Sequence, residues 1–403
     1  MKRKALIGGA GIGLLAIAVL TFLLLTGERG LSSRSEPARV LDVTRLEVAE
    51  TEAAGWSPTG LDAVFVHAST LSTDTLMIVT KGQTVAAFGD LETPHATHSI
   101  RKALLSALVG QHIGSGEGQI RLDATLQELG IDDAPNSPSE LQKQATVEHL
   151  LRSMSGINLP ATADGGLRAE KDRLLGRGEN APGTIWAYNN WDYNALTTIF
   201  ETQTGMGVAE AFQTGFARPA GMRDFDVDDV SYISDPTVSR HRSAAFRMSA
   251  RDLAMFGQIY LDRGQMNGQQ IVPAPWVDRI TANVARTGRD DLRWGHGYLW
   301  WVPAPDAGLP EGSFWAWGLG NQAVLVIPAW DSVIVHQSDT TEFLKRFIPM
   351  ITSGEQPGEE AIEQLILWCI DRTNRETEFC REHRFTTRRE FEKLVAFIAD
   401  ARL

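Results

Sequence analysis

The spacing of apolar and polar positions divides the chain into stretches of different period. Directly after Lys2, Arg3 and Lys4, the run from Ala5 to Thr26 extends for 22 positions without a charge. At 1.5 Å per helical residue that is about 33 Å, enough to cross a hydrocarbon layer of ~30 Å. A cleavable signal has a shorter apolar region, of ~7–15 residues, and ends on a small-x-small site. Here the run ends Leu24-Leu25-Thr26-Gly27-Glu28. Residues 1–26 are therefore expected to be a transmembrane anchor, with a cleaved signal as the alternative. Basic residues ahead of the run place its start in the cytoplasm and the rest of the chain outside it, on the periplasmic side. Gly9 and Gly13 have the spacing that lets two membrane helices approach, and the oligomeric state stays open. Residues 27–45, with Ser32, Ser33, Ser35 and scattered charges, read as a linker.

Strand-forming runs follow at Thr75–Thr80 and Thr84–Phe88, joined by Lys81-Gly82-Gln83. From Ser99 to about Ile271 the period becomes helical. Ile100, Leu104, Ala107 and Leu108 share one face, and further helices are expected near 146–154, 192–203 and 250–263. Strand patterns return at Gly297–Val302, Phe314–Trp317, Ala323–Ile327 and Ser332–His336. The expected fold class is α/β (α+β), with an antiparallel sheet lobe built from both chain ends plus an all-helical lobe, over residues 46–353. Residues 354–403 read as a helical appendage, in which Phe391, Leu394, Val395 and Ile398 recur at helical spacing.

Composition narrows this picture without redrawing it. Of 403 residues, 43% are hydrophobic and 22% charged, which supports a sizeable core and excludes a disordered chain. The net charge of -12, with no basic stripe, excludes nucleic acid as a partner. The two cysteines, Cys369 and Cys380, exclude a disulfide scaffold. On one straight helix they would stand about 16 Å apart, beyond disulfide reach, so a bond between them requires a turn near Asp371 to Asn374. His95 and His98 lack a third ligand at metalloprotease spacing, so neither a metal nor a cofactor is expected.

Three short motifs carry chemistry. Ser99-Ile100-Arg101-Lys102 opens the first helix, where the serine feels the positive end of the helix and the lysine lies one turn on along the same face. Kept from water, that lysine loses its proton near neutral pH and serves as base for the hydroxyl. In Tyr188-Asn189-Asn190, a tyrosine beside an ammonium shuttles a proton, and Asn190 offers both a donor and an acceptor to a substrate amide. In Ala316-Trp317-Gly318, glycine lets a substrate carbonyl approach the strand edge, where the amides of Leu319 and Ser99 would supply two oxyanion hydrogen bonds. Taken singly, each motif also fits a bland reading, such as an exposed lysine near a helix start or an aromatic turn.

In this order the three motifs resemble the penicilloyl-serine superfamily, specifically its class C β-lactamase-related branch, whose pattern is S-x-x-K, then Y-x-N, then K/H-x-G. Thr146 to Gly156, Arg247 to Leu253 and Gly318 to Pro328 match as well, and the likeness covers about residues 60–350. It is similar above all to the 6-aminohexanoate-dimer hydrolase and esterase type. The resemblance implies a β-lactamase/transpeptidase-like fold with the site between its lobes. It implies Ser99 as acylated nucleophile, Lys102 and Tyr188 as a shared general base, and Asn190, Trp317, Gly318 and Leu319 at the substrate. Ala316 stands where the family has a Lys or His that helps hold a substrate carboxylate. The expected function is a serine hydrolase acting on a small ester or amide. The alternatives are a catalytically silent relative that binds a cell-wall ligand, and a D-Ala-D-Ala peptidase or β-lactamase. Trp300, Trp301, Trp315 and Trp317 should border the site, with sheet core the expectation for at least half of them.

Overall fold

Unbroken runs of buried apolar residues mark the central strands. Thr75–Thr80, Gln322–Ile327 and Ser332–Gln337 are buried at every position. A strand so built must be covered on both faces, and the computed structural model shows how. It describes residues 43–45, 47–164, 168–176, 180–282, 284–287, 294–304, 308–340, 386 and 388–403. The expected anchor, the linker up to residue 42, and Cys369 and Cys380 lie outside the described residues. Among the described residues no helix is long and apolar enough to cross a membrane.

The main sheet has nine strands: β1 (Val43–Arg45), β2 (Thr75–Thr80), β3 (Gln83–Phe88), β4 (Ala285–Arg286), β5 (Trp294–Gly297), β6 (Trp300–Pro303), β7 (Phe314–Gly318), β8 (Gln322–Ile327) and β9 (Ser332–Gln337). Their order is β1-β3-β2-β9-β8-β7-β6-β5-β4, and every neighbouring pair is antiparallel. The two chain ends meet at β2 and β9, where Ile78 stands opposite Ile334. Val43–Arg45, expected in the linker, form the edge strand beside β3. The strand expected over 297–302 is instead a hairpin, β5 to β6, that turns at Tyr298 and Leu299. Both residues have left-handed backbones, φ 47° and 70°, a conformation usually signalled by Asn or Gly, so no turn was visible in the composition.

The period of two sends alternate residues to two cores. Met77, Val79, Val324, Val326, Val333 and Val335 face helices α2 (Ile100–Gln111) and α5 (Ala250–Leu261), with α3 (Val147–Leu151) and α4 (Asn190–Thr204) in the same cluster. Leu76, Ile78, Leu325, Ile327 and Ile334 face α1 (Pro58–Ser69) and α6 (Arg388–Asp400). Helix α1 begins as its sequence dictates: the Ser57 hydroxyl accepts the Gly60 N–H at 3.1 Å, and Pro58 occupies the first turn. In α6, Phe391, Leu394, Val395 and Ile398 are all buried in the outer core. The part of the expected appendage that is described is therefore built into this layer, and truncating Leu394 to Ala should cost about 2–5 kcal/mol. The chain end is tied down beside it, where Arg402 Nη1 donates to the carbonyls of Ala54 and Gly55 at 2.7 and 2.9 Å.

Candidate active site

The nucleophile's position is set by a small sheet in front of α2. His95–Ala96 pairs with Ser243–Met248, and the Thr97 N–H donates to the Phe246 carbonyl at 2.9 Å. The chain then turns through His98, at φ 47°, and delivers Ser99 to the N-terminus of α2. Ser99 does not cap its own helix; its Oγ lies 2.6 Å from Lys102 Nζ, one turn on. Lys102 is buried, and burial holds its amine well below the ordinary lysine range. The neighbouring Arg101 charge pushes the same way, and the Asp164 carboxylate opposes it. The Arg101 guanidinium itself is buried and donates to Asn194 Oδ1 at 3.3 Å.

Tyr188 arrives from the turn before α4 and completes the group. Burial pushes its hydroxyl up to about 12, against a hydrogen bond with Ser99 and the charge of Arg101. The Lys102 amine lies 4.9 Å from the Tyr188 ring centre and 5.1 Å from that of Tyr193, so it sits between two aromatic faces. Ser99, Lys102 and Tyr188 are thus brought together as the motifs require. Asn190 is used differently: its Nδ2 donates to the Asp164 and Ala163 carbonyls at 2.9 and 3.4 Å, while its Oδ1 is buried without a partner among the described residues.

The third motif meets the nucleophile through a glycine. A Cβ on Gly318 would stand 2.5 Å from the Thr97 carbonyl oxygen and 3.1 Å from the Ser99 nitrogen, so only hydrogen fits. Ala316 is buried beneath it and carries no charge. Leu319, partly exposed, opens the short turn Leu319–Asn321 beyond the strand. Trp317 is half-buried and donates to Asn321 Oδ1 at 2.8 Å. Trp301 stacks on Tyr188 with ring centres 5.8 Å apart and meets Trp317 edge-on at 6.0 Å. Trp300 packs on Tyr260 and Phe256, and Trp315 on Phe391, so these two are core. Trp317, Trp301 and Tyr188 therefore form one aromatic cluster, with Trp301 buried in it and Tyr188 reaching Ser99.

Several residues escaped sequence reasoning because they come from separate segments. Lys171, almost wholly buried, donates to the Leu159 carbonyl at 2.7 Å and pairs with Asp164 at 3.3 Å, beneath the segment that holds Asn190. Asp192 accepts from Ser155 Oγ at 2.6 Å and Asn189 Nδ2 at 2.8 Å, and burial pushes its carboxyl up to about 8. His296 on β5 packs against Trp186, Tyr188 and Trp301. Left-handed, non-glycine backbones recur around the site at His98, Ser153, Ala163, Tyr298 and Leu299. At about 1–3 kcal/mol each, such strain persists only where surrounding structure enforces it. Among the described residues no group of three or more His, Cys, Asp or Glu side chains could hold a metal ion.

Known proteins place this arrangement. The chain is 26% identical over 265 residues to an uncharacterized protein of Alkalihalophilus pseudofirmus, covering 60% of this chain and 73% of that protein. It is 25% identical over 267 residues to the 6-aminohexanoate-dimer hydrolase of Paenarthrobacter ureafaciens, covering 60% of this chain and 66% of that enzyme. A solved penicillin-binding protein homolog from Caulobacter crescentus shares the fold, with a TM-score of 0.54 at 15% identity over 74% of this chain and 94% of its own. Together with the site, the hydrolase relative supports a function of the serine hydrolase type. Residues 61–352, from α1 through the Ser99 helix, the Tyr188 turn and the Gly318 strand to beyond β9, match the Beta-lactamase family, and the chain belongs to it.

Proposed function

We propose that this chain hydrolyses a neutral ester or amide through an acyl-enzyme on Ser99. The observation that carries this reading is the 2.6 Å approach of the buried Lys102 amine to the Ser99 hydroxyl. With its pKa lowered, the amine is free to take the Ser99 proton as the oxygen attacks the substrate carbonyl. The Tyr188 hydroxyl, held protonated by its raised pKa, gives its proton to the leaving group and recovers one from the Lys102 ammonium. Water then attacks the acyl-enzyme by the same steps in reverse. The N–H groups of Ser99 and Leu319 are the donors assigned to the tetrahedral oxyanion, and Gly318 keeps the strand close enough for both.

Two features narrow the substrate. Ala316 offers no cation to a carboxylate, and the half-buried rings of Trp317 and Tyr188, backed by Trp301, offer apolar surface to an acyl or leaving group. The relatedness to a 6-aminohexanoate-dimer hydrolase supports a small amide as readily as an ester. The run from Ala5 to Thr26 supports tethering of the domain to a membrane on its periplasmic side, which cell fractionation tests directly. For the chemistry, the full-length chain is incubated with p-nitrophenyl butyrate. A butyryl mass on Ser99, or a burst followed by turnover, is expected; neither signal above a Ser99→Ala control would overturn the reading.

A further inference from the structure

A second hydrogen-bonded chain runs behind the proposed catalytic group and ends on a histidine the reaction does not use. Tyr193 Oη accepts the Asn189 N–H at 3.3 Å and lies 2.7 Å from Ser153 Oγ. Ser153 Oγ in turn lies 3.5 Å from His296 Nδ1. All three side chains are buried. Burial and the nearby Lys102 charge push the His296 imidazole down to about 3, so it is neutral and one ring nitrogen is an acceptor. In the tautomer with Nδ1 as that acceptor, the chain runs one way: Tyr193 donates to Ser153, and Ser153 donates to His296 Nδ1.

The middle of this chain and its His296 end are held beside enforced backbone. Ser153 adopts φ 56°, and its carbonyl accepts the Ala187 N–H at 2.9 Å, one residue before Tyr188. His296 stands opposite Trp301 across the β5–β6 hairpin, whose turn is the left-handed pair Tyr298 and Leu299. That turn is clamped by the Tyr298 hydroxyl, which donates to Glu148 at 2.6 Å. The face of the Tyr193 ring, at the other end of the chain, lies against the Lys102 amine. A side chain that fixes Tyr193 therefore fixes one of the two walls between which that amine is aimed at Ser99.

We propose that His296 is a positioning residue for the acyl-transfer reaction: by accepting the Ser153 hydroxyl it orders Tyr193 and so holds Lys102 in line with Ser99. The inference rests on the Ser99 acyl-enzyme reading and adds a residue to it. Its test uses the full-length chain, with kcat and KM for p-nitrophenyl butyrate expressed per site titrated by a fluorophosphonate, so that misfolded protein is not counted. His296→Phe keeps a ring and removes the acceptor. It should lower kcat about tenfold, the worth of one buried hydrogen bond, with KM within about twofold. His296→Asn, which restores an acceptor near Nδ1, should recover most of that loss. Ser153→Ala should match His296→Phe, and the double variant should be no slower than either, because both cut one chain. Losses that multiply in the double variant, or a His296→Phe kcat equal to the parent's, would overturn the proposal while the Ser99 reading stands. A parent chain with no turnover above Ser99→Ala would overturn both.

Discussion

Replacing Gly318 with alanine isolates the contact between the third motif and the nucleophile. Gly318 has φ -133° and ψ 167°, an extended conformation open to any residue, so the substitution adds a methyl group and no torsional strain. That methyl would lie 2.5 Å from the Thr97 oxygen, 3.1 Å from the Ser99 nitrogen and 3.2 Å from His98 Cβ, where ordinary contact begins near 3.4 Å. The first two obstacles are backbone, so relief requires β7 and the Thr97–Ser99 turn to part by roughly 0.5–1 Å, at an overpacking cost of about 1–3 kcal/mol. A displacement of that size at a reacting atom costs on the order of a hundredfold in rate. Gly318→Ala should therefore lower kcat/KM for a neutral ester by about 10²-fold while the melting temperature falls only roughly 2–6 °C. Ester hydrolysis per titrated site and a thermal melt read the two quantities separately. An alanine variant with the parent's kcat/KM would show that Gly318 does not abut the working nucleophile.

Because Lys102 must be unprotonated to accept the Ser99 proton and burial lowers its pKa, kcat/KM should rise with pH to a midpoint well below the ordinary 10.5, with no alkaline loss before Tyr188 ionises near about 12; a stopped-flow pH profile checks this. Lys171→Met leaves the Asp164 carboxylate buried and unpaired, so it should destabilise the domain by about 3–5 kcal/mol in denaturant titrations, and Asp164→Asn in the same chain should recover part of the loss. The Asp192 carboxyl is raised to about 8, so between the ordinary carboxylate range and that pH the folded state holds a proton that the unfolded state has released. Stability should fall as pH rises through this window, and Asp192→Asn should flatten that part of the melting-temperature profile. With Ala316 in the cationic position, benzylpenicillin should be a far poorer substrate than a neutral butyrate ester, measured side by side by absorbance.

How much of this was legible in the sequence depends on how local the signal was. Ser99 and Lys102 sit one turn apart on a single helix, so their spacing permits the contact, and the ordered set of three motifs singled it out. The central strands were legible because burial on both faces leaves continuous apolar runs. Helix α1 carried Ser57 and Pro58, a good start signal, yet its short apolar spacing near a polar stretch was not read as helix. The β5–β6 turn was hidden because Tyr298 and Leu299 take backbone angles their residue types disfavour. Tyr193, Ser153 and His296 come from segments 40 and 143 residues apart, and no local pattern predicts contacts made only when those segments close together. Asn190 is expected from the sequence at a substrate amide; in the fold its Nδ2 donates to the backbone carbonyls of Asp164 and Ala163.

The joining of both chain ends at β2 and β9 also sets an order in time. Ile78 waits for Ile334, and α1 waits for α6, before either layer over the outer face of the sheet can form. A chain emerging from its start can pair β1, β3 and β2 with one another but cannot close this sheet as it is made; the other edge of β2 must stay unpaired until Ser332–Gln337 is available. In the meantime the open edge of β2, with its buried apolar run Leu76 to Val79, is the segment a holding chaperone would have to cover.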